Sequence, residues 1–394
     1  MTGLESQQVT LGTSGLALDR VFKRGSRLKR LDWLLVAVTL ALCGIGAALV
    51  WSATKTRQAS IGSDPTLYLQ RHLLNVGIGL VLGAAMVFLD YRVLRAYTPI
   101  IYVASLAGIV ATFFVGSTIN GAHAWIVLGG GFQLQPSEFA KLALVLGMAM
   151  ILAERRDAED EPRSMDVMIV LALAAVPMLL VLLGQDLGTA TVLAFTVLGV
   201  LALSGVKMRW VIGLLVASVL VGFVAFQAGM VKQHQIDRIK AFTDPRIDAR
   251  GIGYNSKQAR IAIGSGGLFG RGLGHGPQTQ GGFVPEQQTD FIFTVAGEEL
   301  GLAGAGLIIL LLGIVLWRGF RIAARAPDMF GRLAAVGVIC WFAYQSFINI
   351  GMTLGITPVT GLPLPFVSYG GSAMFANLMA IGLLQNVQLR STER

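Results

Sequence analysis

The chain has 394 residues, 54% hydrophobic and 13% charged, with a formal net charge of +9. Soluble domains average about 25% charged residues, so this composition excludes an ordinary water-soluble globule. Nucleic acid is not the expected partner of the basic excess. Most of it falls in short segments between apolar runs, where membrane topology and anionic inner-leaflet lipid account for it.

Residues 1–30 are polar and basic without helical periodicity and read as a cytoplasmic tail. A membrane-spanning helix needs roughly 20 mostly apolar residues, because hydrocarbon offers no partner to backbone polar groups. Runs near 32–53, 72–90, 98–116, 136–153, 166–184, 187–204, 209–227, 290–317, 332–352 and 366–388 meet that requirement. The expected architecture is therefore all-α and polytopic, a ten-helix transmembrane domain over 31–389 followed by a short cytoplasmic tail at 390–394. The first span lacks a cleavage site of small residues and is longer than a signal-peptide core, so it reads as an uncleaved anchor. Cys43 and Cys340 fall inside apolar runs as small hydrophobes and define no disulfide framework.

Lys and Arg fix the expected orientation. With the N-terminus inside, 19 of the 31 lie on the cytoplasmic side, including those of the 154–165 loop. Only Lys55, Arg57 and Arg71 lie in short outer loops, and both termini are then cytoplasmic.

The segment 228–289 is a long extracytoplasmic loop, rich in glycine, aromatics, amides and charge, of the kind that usually carries function. It contains the run Arg238 to Pro245, then Gly251-Ile252-Gly253-Tyr254-Asn255, then Ala262 to Gly270. Residues 254–263 read as a short amphipathic helix suited to the interface plane, with Lys257 and Arg260 on one face. Ser265, Gly266 and the following glycines either form an amide nest for a phosphate or only permit tight turns.

Asp290 opens the next apolar run. A carboxylate in a first helical turn is favoured by the helix dipole alone. Asp290, Thr294, Gly297 and Gly301, however, would share one small, polar face of a helix starting there, which suits a wet or packed interior. An ionisable group in that place is a functional candidate. Glu298 and Glu299, farther along the same helix, are expected to pair with buried donors. At the start of span four, Pro136 suits the first helical position and Glu138 the first turn. Lys141 then lies inside the membrane, either paired with Glu138 or snorkelling, or serving as the cation for a lipid pyrophosphate. Asp186, in the turn between spans five and six, is an N-cap or a further outer-face acid. The four histidines show no metal-ligand spacing, and no nucleotide-binding glycine motif occurs.

These motifs together resemble the SEDS family, which comprises the FtsW, RodA and SpoVE proteins. The resemblance runs from about residue 30 to 389 and rests on several segments. They are Asn120-Gly121-Ala122 with Trp125, Gln135-Pro136-Ser137-Glu138 with Lys141, and Gln185-Asp186-Leu187-Gly188-Thr189. The Gly251 to Gly270 run, Thr289-Asp290-Phe291-Ile292-Phe293 with Glu298-Glu299, and Thr357 to Phe366 with Ser368-Tyr369-Gly370-Gly371-Ser372 complete the set. The versions at Gly253-Tyr254-Asn255 and Pro285 to Asp290 fit the elongation branch. So does Gly282, where division members often carry an acid.

The resemblance implies a peptidoglycan glycosyltransferase of the bacterial cytoplasmic membrane, with its active site facing outside. It would polymerise lipid II by inverting transfer and release undecaprenyl pyrophosphate. A class B penicillin-binding protein would be its transpeptidase partner, alongside other membrane proteins of the elongation or division machinery. Asp290 maps onto the family's essential aspartate, a base for the acceptor hydroxyl. Lys141, Lys257 and Arg260 would stabilise the leaving pyrophosphate. Glu138, Trp125, Ser265, Gly266, Asp186 and Ser368 would complete the substrate site. No protein metal site is expected, and a divalent cation, Mg2+ or Mn2+, is the one candidate cofactor. Ala124 stands where family members often have an arginine before the tryptophan, so that phosphate contact is missing here. A lipid II flippase and a non-catalytic scaffold for a transpeptidase are the alternatives. The concentration of polar residues on the outer side favours the enzyme.

Overall fold

The computed structural model describes residues 29–89, 91–119, 121–128, 132–154, 162–227, 236, 238, 242 and 252–391. Most of the expected N-terminal tail, Asn120, most of the 154–165 loop, Gly251 and the last three residues lie outside that set. So does the Arg238 to Pro245 run apart from Arg238 and Phe242.

A helix falls on each expected apolar run. In order come α1 (Trp33–Ser60), α2 (Leu67–Phe88), α3 (Tyr91–Val115), α4 (Pro136–Ala153), α5 (Ser164–Leu183), α6 (Leu187–Leu203) and α7 (Met208–Gln227). Between α3 and α4 the chain makes a small antiparallel sheet in the order β1 (Ser117–Ile119), β2 (Ala122–Val127), β3 (Gln133–Leu134), which hydrophobic periodicity did not predict. Then follow α8 (Ile252–Ser265), α9 (Pro277–Gln280), α10 (Ile292–Glu299), α11 (Gly301–Ala324), α12 (Met329–Leu354) and α13 (Gly371–Ser391). Among the described residues, seven of these helices (α1 to α5, α11 and α12) are long and apolar enough to cross a membrane. The protein is a multi-pass membrane protein.

Helix starts follow local chemistry. The Asp32 carboxylate caps α1 by accepting from the Leu35 N–H at 3.0 Å, and Asp186 caps α6 by accepting from Thr189 N–H at 2.9 Å. The Gln385 amide on α13 closes both backbone groups of Asp32, at 2.9 Å each, and Arg318 Nε on α11 donates to the Asp32 carboxylate at 2.6 Å. One end of the bundle is thereby tied together. Among its helices of membrane length, α4 and α12 are the most enclosed. α2 and α13 approach closely because Gly83 and Gly382 face each other, and a Cβ at Gly382 would collide with the Gly83 carbonyl.

The single span expected from residue 290 is instead two helices. α10 ends at Glu299, and Gly301, with φ of 67°, turns the chain into α11. Asp290 precedes α10, so Asp290, Thr294, Gly297 and Gly301 do not share one helical face. The carboxylates explain the break. Glu298 accepts from the N–H groups of Gln278 (2.7 Å) and Thr279 (2.8 Å), and Glu299 accepts from Gly274 N–H (3.0 Å) and Ser52 Oγ (2.6 Å). Both are buried and held by loop amides and hydroxyls, which fastens the 270–280 loop over α10.

Candidate active site

At the end of the bundle opposite the Asp32 cluster lies a cavity of about 620 Å³. Its walls come from the last turn of α1, the first turns of α2, α4 and α13, the α5–α6 turn, β2, and the loops at 285–291 and 359–363. Of the described residues, four acids reach it, Glu138, Asp186, Glu286 and Asp290, and three arginines, Arg57, Arg71 and Arg238. Trp125, Tyr68 and Tyr369 add aromatic surface, the two tyrosines meeting edge to face at 5.1 Å between ring centroids.

Asp290 is held mainly through its backbone and that of its neighbours. The Tyr369 N–H donates to Gln288 O at 2.8 Å, Ser368 Oγ donates to Thr289 O at 2.6 Å, and Asn349 Nδ2 donates to Asp290 O at 2.8 Å. Its carboxylate lies against Gly361, whose φ of 77° and missing side chain leave the room. Burial raises the Asp290 carboxyl from 3.8 to about 7, with the nearby negative charge of Glu286 adding to the rise and Arg238 opposing it. Arg238 is itself pushed down by burial, against the pull of Asp290 and Asp186, and its guanidinium donates to Thr360 O at 3.3 Å. Glu286 and Gln185, both on the cavity wall, hold positive φ values of 52° and 64°, a conformation uncommon for non-glycine residues that the buried Phe366 also adopts.

The predicted site residues divide into two groups. Asp290, Glu138, Asp186 and Trp125 all line the cavity. Asp186 also keeps its capping role and accepts from Gln135 Nε2 at 2.9 Å.

The others do not line it. Lys141 is 1% exposed behind Glu138, with Nζ 2.9 Å from Glu138 Oε1, 3.0 Å from Gln345 Oε1 and 4.6 Å from the centre of the Trp341 ring. Enclosed on every side, it cannot touch a pyrophosphate in the cavity. Lys257 and Arg260 are exposed on α8 away from the cavity, Arg260 lying against Gly355. Ser265 donates to its own helix at Ala262 O, 2.9 Å, and Gly266 packs so tightly on the Gly297 carbonyl that a Cβ would collide. The glycine run is thus a close-packing device and not an anion nest. Ser368 supports the Thr289 backbone from beneath.

Sequence reading missed the arginines. Arg57 and Arg71 stood out in one respect, as basic residues on the expected outer side, which the positive-inside tendency keeps poor in such charge. Ala124 is buried on β2. Among the described residues no three of His, Cys, Asp and Glu converge as a metal site.

Comparison with known proteins agrees with this architecture. The model of the cell cycle protein family FtsW/RodA/SpoVE matches residues 32–393. The peptidoglycan glycosyltransferase MrdB of Escherichia coli is 38% identical over 357 residues, covering 91% of this chain and 93% of that protein. The stage V sporulation protein E of Bacillus subtilis is 38% identical over 360 residues, covering 90% and 96%. Among solved structures, a chain of a peptidoglycan synthase complex that coordinates polymerization and crosslinking superposes with a TM-score of 0.77 at 32% identity, covering 92% of this chain and 99% of that one. The rod shape determining protein RodA of Thermus thermophilus superposes with a TM-score of 0.66 at 33% identity, covering 92% and 97%. The chain belongs to the FtsW/RodA/SpoVE family.

Proposed function

We propose that the cavity is where one lipid-linked disaccharide is transferred onto another, with Asp290 as the general base. The chain is a peptidoglycan glycosyltransferase, and the reaction assigned to the cavity is lipid II polymerisation. The acceptor's 4-hydroxyl loses its proton to the Asp290 carboxylate and its oxygen bonds to the donor's anomeric carbon. The bond from that carbon to the pyrophosphate breaks on the opposite face, which inverts the centre from α to β. One carboxylate suffices, because the leaving group departs as an anion and needs positive charge instead of a proton. Among the described residues, Arg57, Arg71 and Arg238 are the cations that face the cavity, and we assign them that role in place of Lys141, Lys257 and Arg260. A divalent cation would arrive on the substrate's phosphates, since Mg2+ is commonly held by one or two carboxylates plus phosphate oxygens. No step above runs through it.

The observation that carries this reading is a carboxyl raised to about 7 on the wall of a cavity that also presents three arginines. A base poised near the working pH is the efficient choice for such a proton transfer.

The finer reading places ten spans with both termini inside and the cavity on the outer face of the bacterial cytoplasmic membrane. It pairs the chain with a class B penicillin-binding protein and assigns it to elongation, on the motif versions at 253–255 and 285–290. The test is to incubate the purified protein and its transpeptidase partner with labelled lipid II and compare wild type with Asp290→Ala. Polymer is expected from the wild type alone. Equal polymer from both defeats the assignment, and translocation of lipid II across liposomes without polymer would favour a flippase.

A further inference from the structure

Asp290 is carried on a loop, and its precision has to come from elsewhere. α12 presents Trp341, Gln345 and Asn349 at four-residue spacing, so they line one face, and all three are fully buried. The Trp341 indole N–H donates to Gln345 Oε1 at 2.7 Å, and Lys141 Nζ reaches the same oxygen at 3.0 Å. With its oxygen claimed by two donors, the Gln345 amide can only turn Nε2 the other way, where it donates to Pro363 O at 2.8 Å.

Asn349 sits one turn on and forks. Its Nδ2 donates to Asp290 O at 2.8 Å and to Leu362 O at 2.6 Å. Both partners are carbonyls, which settles the amide's orientation and leaves Oδ1 buried without a donor. Leaving a buried acceptor without a donor is costly. That cost is carried to hold two segments at once, the one bearing the base and the one whose Gly361 lies against its carboxylate.

We propose that Asn349 and Gln345 are positioning residues for the transfer, and that Lys141 acts through Gln345 instead of on the substrate. The polar ladder of α12 locks the Asp290 backbone and the 361–363 wall into one rigid unit, as a base needs when an error of about 1 Å can cost 10²-fold in rate. This inference rests on Asp290 being the base.

The test is steady-state polymerisation by the full-length protein with its transpeptidase partner, across pH, for wild type, Asn349→Leu, Asn349→Gln and Asp290→Asn. Asn349→Leu removes both donors at similar volume and adds no charge. Its expected result is a kcat lowered about tenfold or more with KM for the lipid substrate within about twofold. The acid limb of the profile is expected at lower pH, because a loosened Asp290 is better hydrated. Asn349→Gln keeps both donors on a stem one methylene longer, and its kcat is expected between the two. It serves as the deciding variant if Asn349→Leu does not fold. A wild-type kcat, a loss confined to KM, or a reduced kcat with the acid limb unmoved would each overturn the proposal, the last being what loss of folded enzyme alone produces. Full activity in Asp290→Asn defeats the base assignment itself. Loss there beside wild-type behaviour of both Asn349 variants defeats only the positioning role.

Discussion

The charge environment of Asp290 makes a quantitative prediction about pH. Moving its carboxyl from 3.8 to about 7 corresponds to roughly 4 kcal/mol against the ionised form, at about 1.4 kcal/mol per pH unit. Burial is the largest cause, so the effect belongs to the cavity wall, and cavity water makes the figure an upper bound. The base works only when ionised. Polymerisation should therefore rise with pH through an acid limb near 7, where an ordinary carboxylate would place it near 4. Glu286 and Arg238 then act as opposed controls. Glu286→Gln removes a like charge and should lower the limb by about one pH unit. Arg238→Gln removes a favourable charge and should raise it. Initial rates with labelled lipid II at saturating concentration, over pH 5–9, read both. A limb at 4 to 5 in the wild type, or one that neither substitution moves, refutes the reasoning.

Stability carries the opposite sign. Because the folded-state value of Asp290 is raised, the folded state binds its proton more tightly than the unfolded chain does. Its contribution is therefore fully present below the unfolded value and is lost as pH rises from about 4 to about 7. The base is held ready at a cost to the fold.

Arg71→Ala should raise KM and weaken the salt dependence of lipid II binding, while Lys257→Ala and Arg260→Ala should leave kcat/KM within about twofold. Equal losses in all three would return the phosphate site to α8. Lys141→Met leaves the Glu138 carboxylate buried and unpaired and should cost about 3–5 kcal/mol of stability, read as a fall in Tm in detergent. Adding Glu138→Gln should restore most of that Tm, and failure to do so would mean the pair is not the source of the loss.

The parts of this protein legible in sequence are those whose physics is local. Apolar runs of membrane length, the Asp186 cap and the Pro136 helix start each depend on neighbours in the chain, and the helices fall where those signals put them. The α10–α11 break was not legible, since it depends on Glu298 and Glu299 meeting the amides of a loop some twenty residues upstream. The two readings of the glycine run, anion nest or tight turns, stayed open for the same reason. A glycine that lets a backbone approach an anion and one that lets it approach the Gly297 carbonyl look the same until the partner is seen.

Lys141, for which pairing with Glu138 and a role at the phosphate both stood open, exposes a general asymmetry. A lysine within a membrane span is conspicuous, because hydrocarbon makes its charge expensive, so sequence reasoning gives it the site's hardest task. That same expense is met by burying it against Glu138, Gln345 and Trp341, and a cation so fully partnered has no donor left to offer a substrate. Arg57 and Arg71 looked ordinary beside it, two basic residues in short loops. What set them apart was the outer side expected for them, where the positive-inside tendency argues against basic residues. Both line the cavity, Arg57 also closing the last turn of α1 and Arg71 also bonding to Tyr369, so it is their place on the wall that argues for a ligand.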